Sequence, residues 1–565
     1  MTTKGRAGGA LGNNEADLSE LPERGRDPFE TGGSGITTLA LFSRFLEPMP
    51  LGRAVSSGPD FGPSGEPGNA LIVGLLAGFV VVWTACLSIG HAPFPILHDM
   101  SEAYVWGREF QLGYNQHPPF WAWVCGAWFL ALPRAGWAFA ALGALNAAIG
   151  LGGAWLLIGD FARGAKRWAA FALLLLTPFY TFGCYKFDAN TIFLSIWPWA
   201  LHFFYSSLRD RRPGAAIGFG VCIGLALMSK YYALILLATC GLGAIQTPFF
   251  AKYIRSAAPW LSASIAAAIC APHVFWLLTH EAPPLRYLAL VSGRGFGQIV
   301  GAAAATGLSS VVSILPVLAI VAWFARGASP EGRGAADPNL PLIATFALAP
   351  LALTLIAGLA LRTRLTPEMP IGTFSLVPLL IIEALGSRGL DRLSWAAGRL
   401  AAGLLLVLLA ASPFIMFGRL WLWDHSDTVA PHQEIAVEAT KLWREKTGMP
   451  LSYVAGHGYE DAIVFYSPDR AHSFFDFDLS RNLWVTPDRL AEYGLTTVCL
   501  KDDAACLAST AKYLTPRASQ TEIAVAHEFW RHVAKTYAFI VTVVPPLGCD
   551  RDPIPSEGDC GATVR

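Results

Sequence analysis

Leu71–Ile89 reads LIVGLLAGFVVVWTACLSI, 19 residues without a charge. A helix of ~20 apolar residues is what crosses the ~30 Å hydrocarbon core of a bilayer. No water reaches its backbone groups there, so only a helix satisfies them. Similar stretches recur up to Gly418, and spans are predicted near 70–90, 136–159, 167–183, 190–207, 214–229, 231–249, 257–278, 298–325, 341–361, 371–386 and 396–418. The predicted fold class is an α-helical polytopic membrane protein with about 11 transmembrane helices and additional juxtamembrane helices.

Composition agrees. The 565 residues are 53% hydrophobic and 15% charged, against about 25% charged in soluble domains. The net charge is zero, which gives no electrostatic case for a nucleic-acid partner. Residues 1–69 are rich in Gly, Pro and Ser with mixed charge, and read as a disordered cytoplasmic tail. No apolar core follows Met1, so the tail does not read as a cleavable signal peptide.

Loop charges orient the chain. With a cytoplasmic N-terminus, the predicted inner loops hold 13 Lys and Arg residues and the outer loops eight. That is the positive-inside bias. Pro118–Leu132 (PPFWAWVCGAWFLAL) is apolar but short and crowded with tryptophan, so it reads as a juxtamembrane helix in the first outer loop, 91–135. Counting it as a span would put the basic run RDRRP outside. The membrane domain covers 70–420. From about Trp421 polar residues return, and strand-like runs (LSYVAGH, TTVCLK, YAFIVTVV) alternate with helical ones (HQEIAVEATKLWREK, AHEFWRHVAKTY). Residues 421–565 therefore read as an α/β extracytoplasmic domain. Cys499, Cys506, Cys549 and Cys560 fit two short-range disulfides in an oxidising compartment, 499–506 and 549–560; free thiols are the alternative.

The notable polar residues then face one compartment. The first outer loop contains His98-Asp99-Met100-Ser101-Glu102 and Asn115-Gln116-His117-Pro118-Pro119; the next turns carry Lys186 and Asp188, then Ser229-Lys230-Tyr231-Tyr232. Later turns carry His280, Glu281, Arg286, Arg362, Arg364 and Glu368. Asp99 and Glu102 share a helix face at i, i+3. One of them can serve as a general base, but the same spacing suits a helix-capping box. Asp188 opens a span and can equally be its N-cap, with Lys186 a neighbour reaching for the interface. Lys230 interrupts 36 otherwise uncharged residues, 214–249, so it calls for a counter-charge or a phosphate, unless it only marks a turn. His117 can bind metal or phosphate or simply shape the Pro-Pro turn. Arg362 and Arg364 suit interfacial anchoring or phosphate binding. Walker A, Rossmann and zinc patterns are absent from the sequence, so soluble nucleotides have no visible cradle.

The stretch HDMSEAYVWGREFQLGYNQHPPFWAW, supported by KFDANTIFLSIWPWALHFF and GLALMSKYYALILL, resembles the GT-C membrane glycosyltransferases. More narrowly it resembles glycosyltransferase family 39, the group of protein O-mannosyltransferases and lipid A aminoarabinose transferases, and within it bacterial enzymes that decorate lipopolysaccharide, such as rhizobial galacturonosyltransferases. The resemblance covers roughly 70–420. It implies a GT-C fold in a bacterial inner membrane, with the active site facing the periplasm. It implies a polyprenyl-phosphate-linked sugar donor, a lipid-linked glycan acceptor such as lipopolysaccharide core or lipid A, membrane lipids as surroundings, and inversion at the anomeric carbon. Asp99, with Glu102 as rival, would be the base. Asp188 would be the second acid, shaping the site or holding a divalent metal ion as cofactor. Lys230, His117, Lys186, Arg362 and Arg364 would bind the donor phosphate. Two departures stand out: the first-loop acids are not adjacent, and Gln116-His117 stands where aminoarabinose transferases tend to have Glu-Lys. Transfer to a protein serine or threonine is the second reading. A transporter is the third, though it would place its charges mid-span and show inverted repeats.

Overall fold

The computed structural model describes residues 68–293, 295–326, 337–385, 389–423, 429–529 and 532–547. The tail read as disordered lies almost wholly outside the described residues, as do Arg294, Cys549 and Cys560. Among the described residues, six helices are long and apolar enough to cross a membrane: α1 (Asn69–Gly90), α4 (Gly136–Phe161), α10 (Ala258–Thr279), α12 (Phe296–Ala325), α13 (Leu340–Leu361) and α15 (Leu390–Trp423). Between them stand α2 (His98–Glu109), α3 (Phe120–Ala131), α5 (Gly164–Leu174), α6 (Phe193–Asp210), α7 (Pro213–Leu227), α8 (Ala233–Ile245), α9 (Phe250–Ile254), α11 (Pro283–Val291) and α14 (Val377–Leu385). Every predicted span meets a helix, but four of the eleven meet shorter ones than predicted.

The shortfall has a local cause. The predicted span 167–183 stops being helical at Leu174, because Pro178 has no N–H to give the preceding turn. Tight i to i+3 bonds close the end: Leu176 N–H donates to Leu173 O at 3.1 Å and Thr177 N–H to Leu174 O at 3.0 Å. The chain then runs as turns to Ile192 before α6 starts. The predicted span 371–386 likewise opens with a 3₁₀ turn, Ile371–Thr373, after Pro370. Irregular backbone at membrane depth survives only where protein covers it, and α4 supplies the cover. A Cβ on Gly143 would sit 2.0 Å from Cys184 O, and one on Gly150 2.0 Å from Leu194 O. Asn146, between them, donates to Thr191 O at 2.7 Å, and Trp83 of α1 donates to Thr181 O at 2.9 Å. The small residues of α4 thus let the irregular segment lie directly on the helix.

Helix α3 has 12 residues, or about 18 Å of length, too short to cross. It pairs instead with α2 at a glycine contact: a Cβ on Gly107 would meet Ala122 O at 2.2 Å, and one on Gly126 would meet Gly107 O at 2.2 Å. On the opposite, predicted inner side, Lys166 of α5 pairs with Glu383 of α14 at 2.7 Å.

The C-terminal part is a five-stranded sheet with order β2-β1-β3-β5-β4, formed by β1 (Tyr453–Gly456), β2 (His472–Phe475), β3 (Leu495–Leu500), β4 (Ser519–Phe529) and β5 (His532–Val544). β1 runs parallel to β2 and β3, whereas β5 is antiparallel to β3 and β4. Helices α16 (His432–Thr447), α17 (Glu460–Tyr466), α18 (Pro487–Tyr493) and α19 (Ala504–Ala511) accompany it. AHEFWRHVAKTY, expected to be helical, forms the two arms of the β4–β5 hairpin. β4 alternates between half-buried and exposed positions, the period of a strand, and pairing with β5 overrides the local helical look. Cys499 and Cys506 form the expected disulfide, joining β3 to α19. This C-terminal domain, predicted to lie on the outer side, grips α2. Arg108 donates to Ala471 O, His472 contacts Glu109 at 2.6 Å, and the Tyr104 ring meets Phe465 edge-on at 5.2 Å.

Candidate active site

The irregular segment 175–192 carries Lys186 and Asp188, and its placement on α4 aims both at the first turn of α2. Lys186 Nζ lies 2.5 Å from Asp99, 3.1 Å from Glu368 and 3.7 Å from Asp188. One ammonium thus joins three carboxylates from three distant parts of the chain. Burial lowers the Lys186 pKa, but Asp188, Asp99 and Glu368 outweigh it and hold the group well above the ordinary lysine value.

Asp99 does not cap its helix. The N-cap position is Leu97, and Asp99 stands inside the first turn with its carboxylate on Lys186. Burial pushes its pKa up, but Lys186, His98 and Lys230 outweigh it and hold the group below the usual carboxylate range. Glu102 goes the other way: burial, then Asp99 and Asp461, raise it well above that range. Their surroundings thus drive the two acids apart, Asp99 toward its ionised form and Glu102 toward its protonated one.

Asp188 caps the turn before α6 and not the helix itself, whose N-cap position is Ile192. Oδ1 accepts from Asn190 N–H and Thr191 N–H, each at 2.8 Å, while Asp188 N–H donates to Thr191 Oγ1 at 2.9 Å, the reciprocal pattern of a capping box. The side chain is 3% exposed, and Oδ2 has no hydrogen-bond partner among the described residues. One oxygen holds the backbone and the other faces the cluster.

Lys230 is fixed by its neighbours. Its turn ends α7, and Met228 O accepts from Phe120 N–H, the first residue of α3, at 2.8 Å. Tyr231 OH meets His273 Nε2 at 2.9 Å, and His273 Nδ1 meets Leu112 O at 2.8 Å, so α10 ties this turn to the loop before α3. The Lys230 ammonium donates to Asn190 Oδ1 at 2.6 Å. Burial lowers its pKa, opposed by Asp188, Asp99 and Glu368. His117 is close enough to feel Lys230; burial first and then that charge drop its pKa to about 3, so it is a neutral imidazole at physiological pH. Arg362 and Arg364 are exposed beyond the end of α13. Arg286 pairs with Glu281 and His280 stacks on Trp276 at 5.0 Å, so these turns have partners of their own.

Glu368 is the cluster member that the sequence named only as a turn residue. Nothing local marks it, and only the fold brings residue 368 back to residue 99. Asp99, Asp188 and Glu368 offer oxygens all within 4.8 Å of one another, a hard donor set in type. Lys186 already stands among them and supplies the positive charge that such a set takes. A second group, His457, Asp503 and Cys506, is not a thiolate site, because Cys506 is in the disulfide. A cavity of about 370 Å³ opens nearby where α1 meets the outer domain, lined among others by His91, Phe94, Tyr185, Glu434 and His527. It does not include the acidic cluster.

Comparison with known proteins follows the same outline. A family model described as dolichyl-phosphate-mannose-protein mannosyltransferase matches residues 116–276. That stretch contains His117, Lys186, Asp188 and Lys230 but not Asp99, Glu102 or Glu368. The lipid A galacturonosyltransferase RgtD of Rhizobium johnstonii is 24% identical over 231 residues, 39% of this chain and 46% of that protein, so the match spans about half of the relative's length. Two solved structures of ArnT from Cupriavidus metallidurans share the fold. The apo state gives a TM-score of 0.54 at 15% identity, covering 83% of this chain and 98% of that one. The state bound to undecaprenyl phosphate gives 0.51 at 16% identity, covering 84% and 98%. The chain is a multi-pass membrane protein with this GT-C fold, and the resemblance read from its sequence is borne out.

Proposed function

We propose that this chain, folded as ArnT is, transfers a sugar from a polyprenyl phosphate to a lipid-linked glycan, lipopolysaccharide core or lipid A, on the periplasmic side of a bacterial inner membrane. The observation that carries the reading is the cluster itself. An acid driven toward its ionised form, Asp99, and a half-buried cation, Lys230, sit on one face at the ends of membrane helices, where a lipid headgroup lies.

In the proposed step the acceptor hydroxyl oxygen attacks the anomeric carbon as Asp99 takes its proton. The bond from that carbon to the phosphate oxygen breaks, and the polyprenyl phosphate leaves with the electron pair. In-line attack inverts the centre. Charge develops on the leaving oxygen, so fixed donors there lower the barrier. Lys230 is the cation for that task, because a single amide oxygen is its hydrogen-bond acceptor. His117 approaches the phosphate as a neutral hydrogen-bonding group. Lys186 acts on the acid side, keeping Asp99 ionised and in place. The reading takes no step through a metal ion. The match to the mannosyltransferase model favours a second acceptor class, a protein serine or threonine.

The test uses purified chain, radiolabelled polyprenyl-phosphate sugars, and lipopolysaccharide core, lipid A or serine-rich peptide as acceptors. Transfer to the lipid-linked acceptors is expected. Asp99→Asn should lower kcat by about 10²-fold or more, the usual share of a general base. Undiminished transfer by the variant sinks the base assignment, and no transfer by the wild type from any donor sinks the function.

A further inference from the structure

In the C-terminal sheet β1 lies between β2 and β3 and runs parallel to both. The chain leaves β1 through α17 to β2 on one side, then crosses through α18 to β3 on the other. The loops after β1 and β3 therefore part in opposite directions beyond the carboxyl ends of the two strands. Such a switch point is where open α/β sheets bind their ligands.

Here the crevice holds side chains that bind metals. Gly456 pairs with Val498, and a Cβ at 456 would stand 2.6 Å from Val498 O, so the strand ends close tightly. His457 comes next, and Gly458 turns the chain with a φ of 90°. The His457 ring is held edge-on to Phe477 at 5.8 Å. Across the crevice Asp503 caps α19. Its Oδ1 accepts from Cys506 N–H at 2.9 Å, and its Oδ2 lies 3.2 Å from His457 Nδ1. Donor atoms of His457, Asp503 and Cys506 all lie within 4.8 Å of one another. The nitrogen and oxygen already have the spacing of two ligands on tetrahedral zinc, about 3.3 Å for bonds of about 2.0 Å. His457 and Asp503 are part-exposed and Cys506 is buried, so the crevice opens to solvent on its His–Asp side. The sulfur decides occupancy. A metal takes the thiolate, and in the disulfide Cys506 has none to give.

We propose that the thiol form of this chain binds zinc through His457, Asp503 and Cys506, and that closing the Cys499–Cys506 bridge expels the ion. Reduction by a dithiol gives each bridge sulfur one electron and one proton, while the reductant becomes a disulfide. Zinc then displaces the Cys506 proton, and a fourth place remains for water or the freed Cys499. The site shares no residue with the acidic cluster and does not depend on glycosyl transfer. A newly exported chain carries free thiols, and the ion would hold the two loops together until oxidation replaces it.

The full chain is purified through a tag that binds no metal, with Cys549 and Cys560 changed to serine so that neither captures Cys506. Cobalt(II) is the spectroscopic probe and zinc its competitor. After reduction by a dithiol, and removal of the dithiol without oxygen, cobalt should give a thiolate-to-metal charge-transfer band that zinc bleaches. Cys499→Ser frees Cys506 without a reductant and should give the same band; the disulfide form should give none. The acidic cluster has no sulfur, so metal bound there stays silent in this band. His457→Gln and Asp503→Asn, the latter keeping the cap, should each weaken zinc at least about tenfold, which losing even an outer partner of a metal ligand costs. Each variant's disulfide form should melt as the parent does, which separates lost binding from lost fold. Zinc should also raise the melting temperature of the reduced chain. No band from either thiol form, a band of equal strength from the disulfide form, unchanged zinc affinity in either ligand variant, or no rise in melting overturns the proposal.

Discussion

Lys186 and Lys230 are both half-buried lysines of one site, yet their surroundings push them apart. Lys186 has three carboxylates and stays charged at any accessible pH. Lys230 donates to one amide oxygen, and burial moves it below the ordinary lysine value. A lysine binds phosphate only while protonated, so donor affinity should be full below the Lys230 pKa and fall as pH rises through it. Donor KM is therefore expected to climb on the alkaline side, earlier than an unperturbed lysine would allow. Lys230→Arg should flatten that limb, because guanidinium stays charged. A donor KM that is level from pH 7 to 10 in the wild type would remove Lys230 from phosphate binding. At this scale much of the site was legible: a lone lysine in 36 uncharged residues, and acids at predicted span ends. Glu368 was not, since its meaning lies in a contact with Lys186, 182 positions away.

Two elements show how small features fix the frame. α2 and α3 meet through Gly107 and Gly126, where an added Cβ would strike backbone, which cannot swing aside as a side chain does. Gly107→Ala or Gly126→Ala is expected to destabilise by about 1–3 kcal/mol, the range for overpacking, and to displace Asp99. Thermal unfolding and transfer activity should fall together; a variant with unchanged melting and activity would show that the helices do not pack this closely. The Cys499–Cys506 bridge closes a short loop, with a sequence separation of seven. By chain entropy it contributes about 2.5 kcal/mol. Reduction or Cys506→Ser should lower the outer domain's melting temperature and leave the membrane part unmoved, as read by separate near-UV and helical signals. Of the elements that the sequence misjudged, the β4–β5 hairpin was set by a distant partner, following sheet pairing and not local helical pattern. α5 ends early for the local reason of Pro178, and the irregular chain after it is covered by the glycines of α4.

For the whole molecule, the orientation read from loop charges makes a direct prediction. Glu445, on an exposed position of α16, belongs to the outer domain, and Arg212 lies in the α6–α7 loop on the opposite side. A cysteine at 445 should react with a membrane-impermeant maleimide in intact spheroplasts, and one at 212 only after lysis. The reverse pattern would turn the molecule over and move the acidic cluster to the cytoplasm. The six unpaired cysteines among the described residues are buried or half-buried, and Cys549 and Cys560 are changed to serine in both variants to keep the background low. Hydropathy made this scale the most legible, because apolar length and charge bias depend on no tertiary contact. The joining of the outer domain to the site was hidden, since no motif in 421–565 announces it.

The grip of that domain on α2 has a mechanical consequence. Asp99 stands in the first turn of the helix, while Arg108 and Glu109 at its far end are held by Ala471 and His472. The two ends are about 15 Å apart along the axis. A helix this short is a stiff lever, and a tilt of about 5° at the held end moves the other by about 1 Å. A shift of about that size is enough to cost a reaction two orders of magnitude. On the proposed reading, in which Asp99 takes the acceptor's proton, a lean of the C-terminal domain slows that step, and turnover becomes sensitive to whatever load the domain carries.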